Sequence, residues 1–144
     1  MRLLLDTSVL IAAMVETHPS HAIALPWVQQ VKQGQAKGYV ALHTLAELYS
    51  TLTRLPLRPP ISGPLAQHLI DENVVQAFEI VALTAQDYLA VIGHLAQSGL
   101  IGAVTYDALI LHVAKKVEVD QIITLNQRDF GRIYPTLSDK IVSH

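Results

Sequence analysis

The sequence predicts an α/β fold in which a parallel sheet is covered by helices on both faces. Two observations carry this. Short apolar runs recur along the chain, and each pair is separated by a segment of helical period. The runs are apolar throughout rather than alternating, which is the mark of parallel strands buried on both sides. A third observation fixes the scale: 144 residues, 51% of them hydrophobic and 15% charged, supply a core for one domain over residues 1–144 and argue against disorder.

RLLLD (2–6) reads as the first buried strand, and VLIAAMVE (9–16) then has helical character. Pro19 and Ser20 open a second helix that runs through HAIALPWVQQVKQG, with Pro26 as a kink and Gly34 as the stop. GYVAL (38–42) is a second strand, and TLAELYSTLTRL (44–55) the helix after it. The loop LPLRPPISGP is stiffened by its prolines. LAQHLIDENV (65–74) is a short helix, and FEIVAL (78–83) a third strand. Thr84 and Asp87 form a capping box ahead of YLAVIGHLAQSG. Residues 104–117 form another helix, QIITL (121–125) a fourth strand and KIVSH (140–144) a short final one. No internal repeat stands out.

Composition narrows the function classes. The chain has no cysteine, so disulfides, thiolate chemistry and cysteine-bound zinc are excluded. The longest apolar run, VLIAAMV (9–15), is far short of the roughly 18–20 residues of a membrane span. Asp6 interrupts Leu3–Leu5 too early for a signal peptide. A soluble, cytoplasmic protein is expected. The net charge of −2 argues against coating nucleic acid by charge alone.

In parallel sheets, ligands bind beyond the carboxyl ends of the strands. Asp6 ends the first strand, where an aspartate serves either as a helix N-cap or as part of a site. On the helix 44–55, Leu45, Leu48, Tyr49 and Leu52 share one side; Glu47 points away, beside His43, Ser50, Thr51 and Arg54. With residues 103–117 projected as a helix, Asp107 falls inside an apolar arc that includes Ala103, Tyr106, Ile110 and Leu111. A carboxylate there needs a cation, a metal ion or the helix's own N–H groups. Asn126 ends the fourth strand and caps the helix after it, with Asp129 close behind. Carboxylates gathered at one sheet edge repel unless a cation neutralises them, and oxygen donors suit Mg²⁺ or Mn²⁺. Of the seven histidines, His18 and His21 are closely spaced, but no third ligand completes a zinc site.

The series LLLDTSVL, LAELYSTLTR, TYDALI and ITLNQRDF, in this order from about Arg2 to Tyr134, resembles the PIN-domain ribonucleases, and within them the VapC-type toxins of toxin–antitoxin pairs. The resemblance implies a three-layer α/β/α sandwich around a parallel sheet. It implies Mg²⁺- or Mn²⁺-dependent hydrolysis of RNA, a cognate antitoxin and a homodimer. Carried over by motif, Asp6, Glu47 and Asp107 are the first three acidic positions. Asp6 and Asp107 would hold the metal directly, and Glu47 would bind it through water or position the attacking water. The fourth acidic position falls in TLNQRDF, where Asn126 stands at the strand end and Asp129 is the nearest carboxylate. Ser8 matches a small polar position that lines the site. Helix geometry offers Arg54 and Arg128 to the RNA backbone. Because Asn126 replaces a carboxylate, the alternative is a PIN fold that no longer cuts and serves as a binding module for RNA or protein. A nuclease of RNA processing, with no antitoxin, is a third reading. A haloacid-dehalogenase phosphatase would need an aspartate at position 8, and a receiver domain a lysine in TLNQRDF; this chain has neither.

Overall fold

The structure is a computed structural model that describes residues 1–142 and 144. Its centre is a four-stranded parallel sheet: β1 (Arg2–Leu5), β2 (Lys37–Ala41), β3 (Phe78–Val81) and β4 (Gln121–Ile123), in the order β3-β2-β1-β4. Helices α1 (Thr7–Met14) and α2 (His21–Lys32) link β1 to β2, and α3 (Leu42–Arg54) and α4 (Gly63–Ile70) link β2 to β3. Helices α5 (Ala85–Ser98) and α6 (Val104–Lys116) link β3 to β4, and α7 (Gln127–Ile133) follows.

Strand side chains alternate between two cores, as a period of two requires. Leu3, Leu5, Val40 and Ile123 face a core shared with α1 to α4. Leu4, Tyr39, Ala41 and Ile122 face a second core shared with α5 to α7. Leu3, Leu4 and Leu5 are all fully buried, which explains the unbroken apolar run. Truncating any one to alanine is the kind of change that costs ~2–5 kcal/mol. The expected three-layer α/β/α sandwich is therefore present. Gly38 lets two layers meet: a Cβ there would lie 2.5 Å from the Phe78 ring and 2.7 Å from Val31 Cγ1.

Several boundaries differ from expectation for local reasons. Helix α1 begins at Thr7 because the Asp6 carboxylate accepts the Val9 N–H, capping it two residues early. Helix α2 is continuous across Pro26. The helix expected over 65–74 ends at Ile70 and widens into a π turn, Asp71–Val75. The Thr84–Asp87 capping box is present, and α5 stops at Gly99, whose φ of 69° is left-handed. Instead of a final strand there is a 3-10 turn, Pro135–Lys140, and one parallel bridge between Ile122 and Ile141; Ser143 lies outside the described residues.

Sheet order places the functional edge. The chain leaves β1 in one direction, through β2 to β3, then returns to the other side of β1 with β4. That reversal makes a crevice at the carboxyl ends of β1 and β4.

Candidate active site

Asp6 occupies that crevice. It is 4% exposed, and its backbone N–H donates to Ile123 of β4. Ser8 Oγ donates to Oδ1 at 2.6 Å, Val9 N–H to the same oxygen at 3.2 Å, and Thr124 Oγ1 to Oδ2 at 2.7 Å. A carboxylate has about four acceptor positions, so these three donors fix its orientation and leave one free. Burial pushes the Asp6 carboxyl above its usual range, against the pull of the Ser8 and Thr124 hydroxyls. The two readings of Asp6 merge: it caps α1 with one oxygen and presents the other at the strand end.

Hydrogen bonds extend from Asp6 to a second carboxylate. Ser8 Oγ accepts the Leu125 N–H at 3.1 Å, and Thr124 Oγ1 accepts the Asn126 N–H at 2.9 Å. The turn after β4 is thereby held so that the Asn126 amide reaches Asp107 Oδ2, at 3.4 Å. Asn126 thus does not cap α7 with its side chain, contrary to expectation. Asp107 is half-buried in the first turn of α6 and makes no cap bond. Burial raises its carboxyl, the charges of Asp6, Glu47 and Asp129 raise it further, and it is pushed up to about 7. The carboxylates therefore share one electrostatic neighbourhood.

Glu47 enters from α3. Thr7 Oγ1 donates to Oε1 at 3.0 Å, and His43 Nε2 stands 3.3 Å from the same oxygen. His43 Nε2 is buried and faces this oxygen outside the alignment of a full hydrogen bond. Burial works to raise Glu47, yet His43 and Thr7 outweigh it and leave the carboxyl below its usual range.

The remaining expected residues are less engaged. Asp129 pairs with Arg132 at 3.0 Å across one turn of α7, and influences Asp107 only through its charge. Arg54 is exposed, and its Nε donates to its own helix at Ser50. Arg128 is exposed. Tyr49 and Tyr106, expected on apolar faces, are 47% and 55% exposed, and Ala103 is exposed too. The reading by carboxylates passed over Thr7 and Thr124. Thr124 directly follows β4 and Thr7 lies two residues past β1, so polarity just past an apolar run was the available signal. His18 and His21 face different partners: His18 accepts from Ser20 N–H, and a His21 ring nitrogen meets the Ala12 carbonyl.

The donors at the crevice are carboxylate, amide and hydroxyl oxygens, the set that suits a hard divalent cation. Among the described residues, no three carboxylate or histidine groups form a ready-made cage. No described helix is long and apolar enough to cross a membrane.

Residues 3–134 match the PIN domain family. Over 110 residues the chain is 36% identical to ribonuclease VapC40 of Mycobacterium tuberculosis, covering 76% of each chain. Two solved structures share the fold. The Sarcin-Ricin loop cleaving toxin VapC20 of Mycobacterium tuberculosis superposes with a TM-score of 0.70 at 15% identity, over 88% of this chain and 92% of the other. VapBC2 of Rickettsia felis, bound to a DNA fragment from its promoter, gives 0.64 at 22% identity over 92% of each.

Proposed function

The chain belongs to the PIN-domain family, alongside the VapC ribonucleases, and on that premise we propose that it is a toxin-type endoribonuclease acting at Asp6, Glu47 and Asp107 with Mg²⁺ or Mn²⁺. The observation that supports this most is the hydrogen-bonded path from Asp6 through Thr124 and Asn126 to Asp107. It joins two strand ends to a helix start at the switch point, where a parallel sheet takes its ligand.

Asp6 and Asp107 would hold the cation, Asp6 through its one unclaimed acceptor position. Glu47, more open than Asp6 and tethered by Thr7, is placed to accept a proton from, or orient, an attacking water. When bound, the cation lowers the pKa of water and offsets the charge of the phosphate. The Asn126 amide and the Ser8 and Thr124 hydroxyls keep the two carboxylates in register. Asp129 stands by as a fourth carboxylate, and Arg54 and Arg128 meet the RNA backbone. One PIN domain spans residues 1–144. An antitoxin partner, a homodimer and a cytoplasmic setting complete the reading; the Rickettsia felis neighbour is a VapBC assembly.

The test is cleavage of a mixed structured and single-stranded RNA pool by wild type and Asp6→Asn. Cleavage that needs Mg²⁺ or Mn²⁺, stops with EDTA and is absent in the variant is expected. No cleavage by wild type with either ion would sink the enzyme. It would favour the binding module, for which the amide at Asn126 is the specific observation.

A further inference from the structure

Beside the carboxylates, a groove of ≈ 370 Å³ runs between α3 and α6, lined by Ala46, Glu47, Ser50, Thr51, Arg54 and Tyr106. Tyr106 is 55% exposed, although the helical pattern assigns it to an apolar arc. Its backbone cannot drift, because Ala108, Leu109, Ile110 and Val113 anchor α6 in the core. Its ring lies 6.2 Å from the His43 ring, whose Nε2 faces Glu47. Across the groove, Arg54 is steadied by its Nε bond to Ser50, and its terminal amino groups have no partner among the described residues.

We propose that this groove is a nucleobase subsite, in which Tyr106 stacks a base of single-stranded RNA next to the cleaved bond, while Arg54, Ser50 and Thr51 hold the adjoining backbone. The inference rests on the ribonuclease reading and adds a residue that sets substrate form. An exposed aromatic face beside a planar cation and two hydroxyls is what a flexible strand uses: each base offers a π-face, and each phosphate an acceptor. Glu47 itself lines the groove with Tyr106, so a strand with its phosphate at the carboxylates brings a neighbouring base to this ring. The volume lies at the small end of the ≈ 300–1,000 Å³ of ligand sites, room for one base rather than a duplex. Stacking is tolerant of base identity, so Tyr106 selects unpaired RNA over paired RNA rather than one sequence.

The test uses fluorescein-labelled single-stranded RNA oligonucleotides with Mg²⁺ and the Asp6→Asn protein, followed by anisotropy. Tyr106→Ala added to that protein should weaken binding by roughly 5- to 150-fold, the worth of one base–aromatic stack. Tyr106→Phe and Tyr106→Trp should restore it. The loss should vanish on an oligonucleotide that lacks one particular base. Equal binding by Tyr106→Ala, or an equal loss on every abasic strand, overturns the stack; cleavage by wild type in parallel then leaves the nuclease standing. A Tyr106→Ala change in sedimentation with RNA binding intact assigns the ring to a protein contact and also overturns it. If neither protein binds RNA and wild type does not cut, both readings fall.

Discussion

The Thr124 hydroxyl lies 2.7 Å from Asp6 Oδ2, fully buried, and ties the end of β4 to the end of β1. The same oxygen receives the Asn126 N–H, so one side chain orients a carboxylate and its own turn.

Thr124→Val keeps the shape and removes both bonds. A hydrogen bond to a charged group contributes about 1.5–3 kcal/mol, and the Asn126 N–H would be left unpaired. Urea unfolding should show a loss of that size, and RNA cleavage should fall roughly 10- to 100-fold, as for other residues that orient a ligand. Thr124→Ser should recover most of both. Activity unchanged in Thr124→Val would mean that Asp6 needs no orienting partner.

Asn126→Asp puts a carboxylate just past the end of β4 and sets it against Asp107. Without divalent ions, two like charges about 4 Å apart near a surface cost about 1–4 kcal/mol. The melting temperature in EDTA should therefore drop. Mn²⁺ at a hundredfold excess over its Kd adds about 2.7 kcal/mol and should reverse the loss, with a larger shift than in wild type. Equal shifts in the two proteins would remove position 126 from the ion's surroundings.

Asp87 is expected to contribute to the acid limb of stability. The Thr84 N–H, Lys116 Nζ at 2.9 Å and His112 Nε2 at 3.1 Å hold its carboxyl well below the usual carboxylate range. A group depressed in the folded state stabilises above its unfolded value and loses that contribution as pH falls through the folded one. The stabilisation is thus complete above about pH 4 and fades below it. Urea midpoints taken from neutral pH to pH 2 should fall less steeply in Asp87→Asn than in wild type. Parallel curves would show that another carboxylate controls the limb.

Gly38→Ala tests the layer contact. The added methyl meets the Phe78 ring and Val31 within 2.7 Å, and overpacking of this kind costs about 1–3 kcal/mol. A stability loss with RNA cleavage retained per folded molecule is expected. A neutral effect on the urea midpoint would mean that the β2–β3 edge yields freely.

Much of the fold was legible because β1 is apolar on both faces and α5 is bounded by chemistry readable at short range: Thr84 and Gly99 act where they stand. The carboxylates were legible as types in a pattern. Their partners were not, because Thr124 meets Asp6 across 118 residues, and no local period announces such a pairing. Tyr49 and Tyr106 misled the helical projection, since an aromatic ring counts as apolar whether it packs inward or is kept outward for a ligand. The final strand is reduced to a single bridge because Pro135 starts a tight turn, after which Ile141 pairs with Ile122 and the Val142 N–H donates to the Ile122 carbonyl.

The 118-residue span between Asp6 and Thr124 also orders events during synthesis. At ~5–20 residues per second, the ribosome reaches position 124 roughly 6–24 s after position 6. Through that interval Asp6 has neither its β4 neighbour nor the hydroxyl that aims it, and Asp107 lacks its amide partner. The pairings that the proposed site relies on are therefore complete only once the last strand has been made.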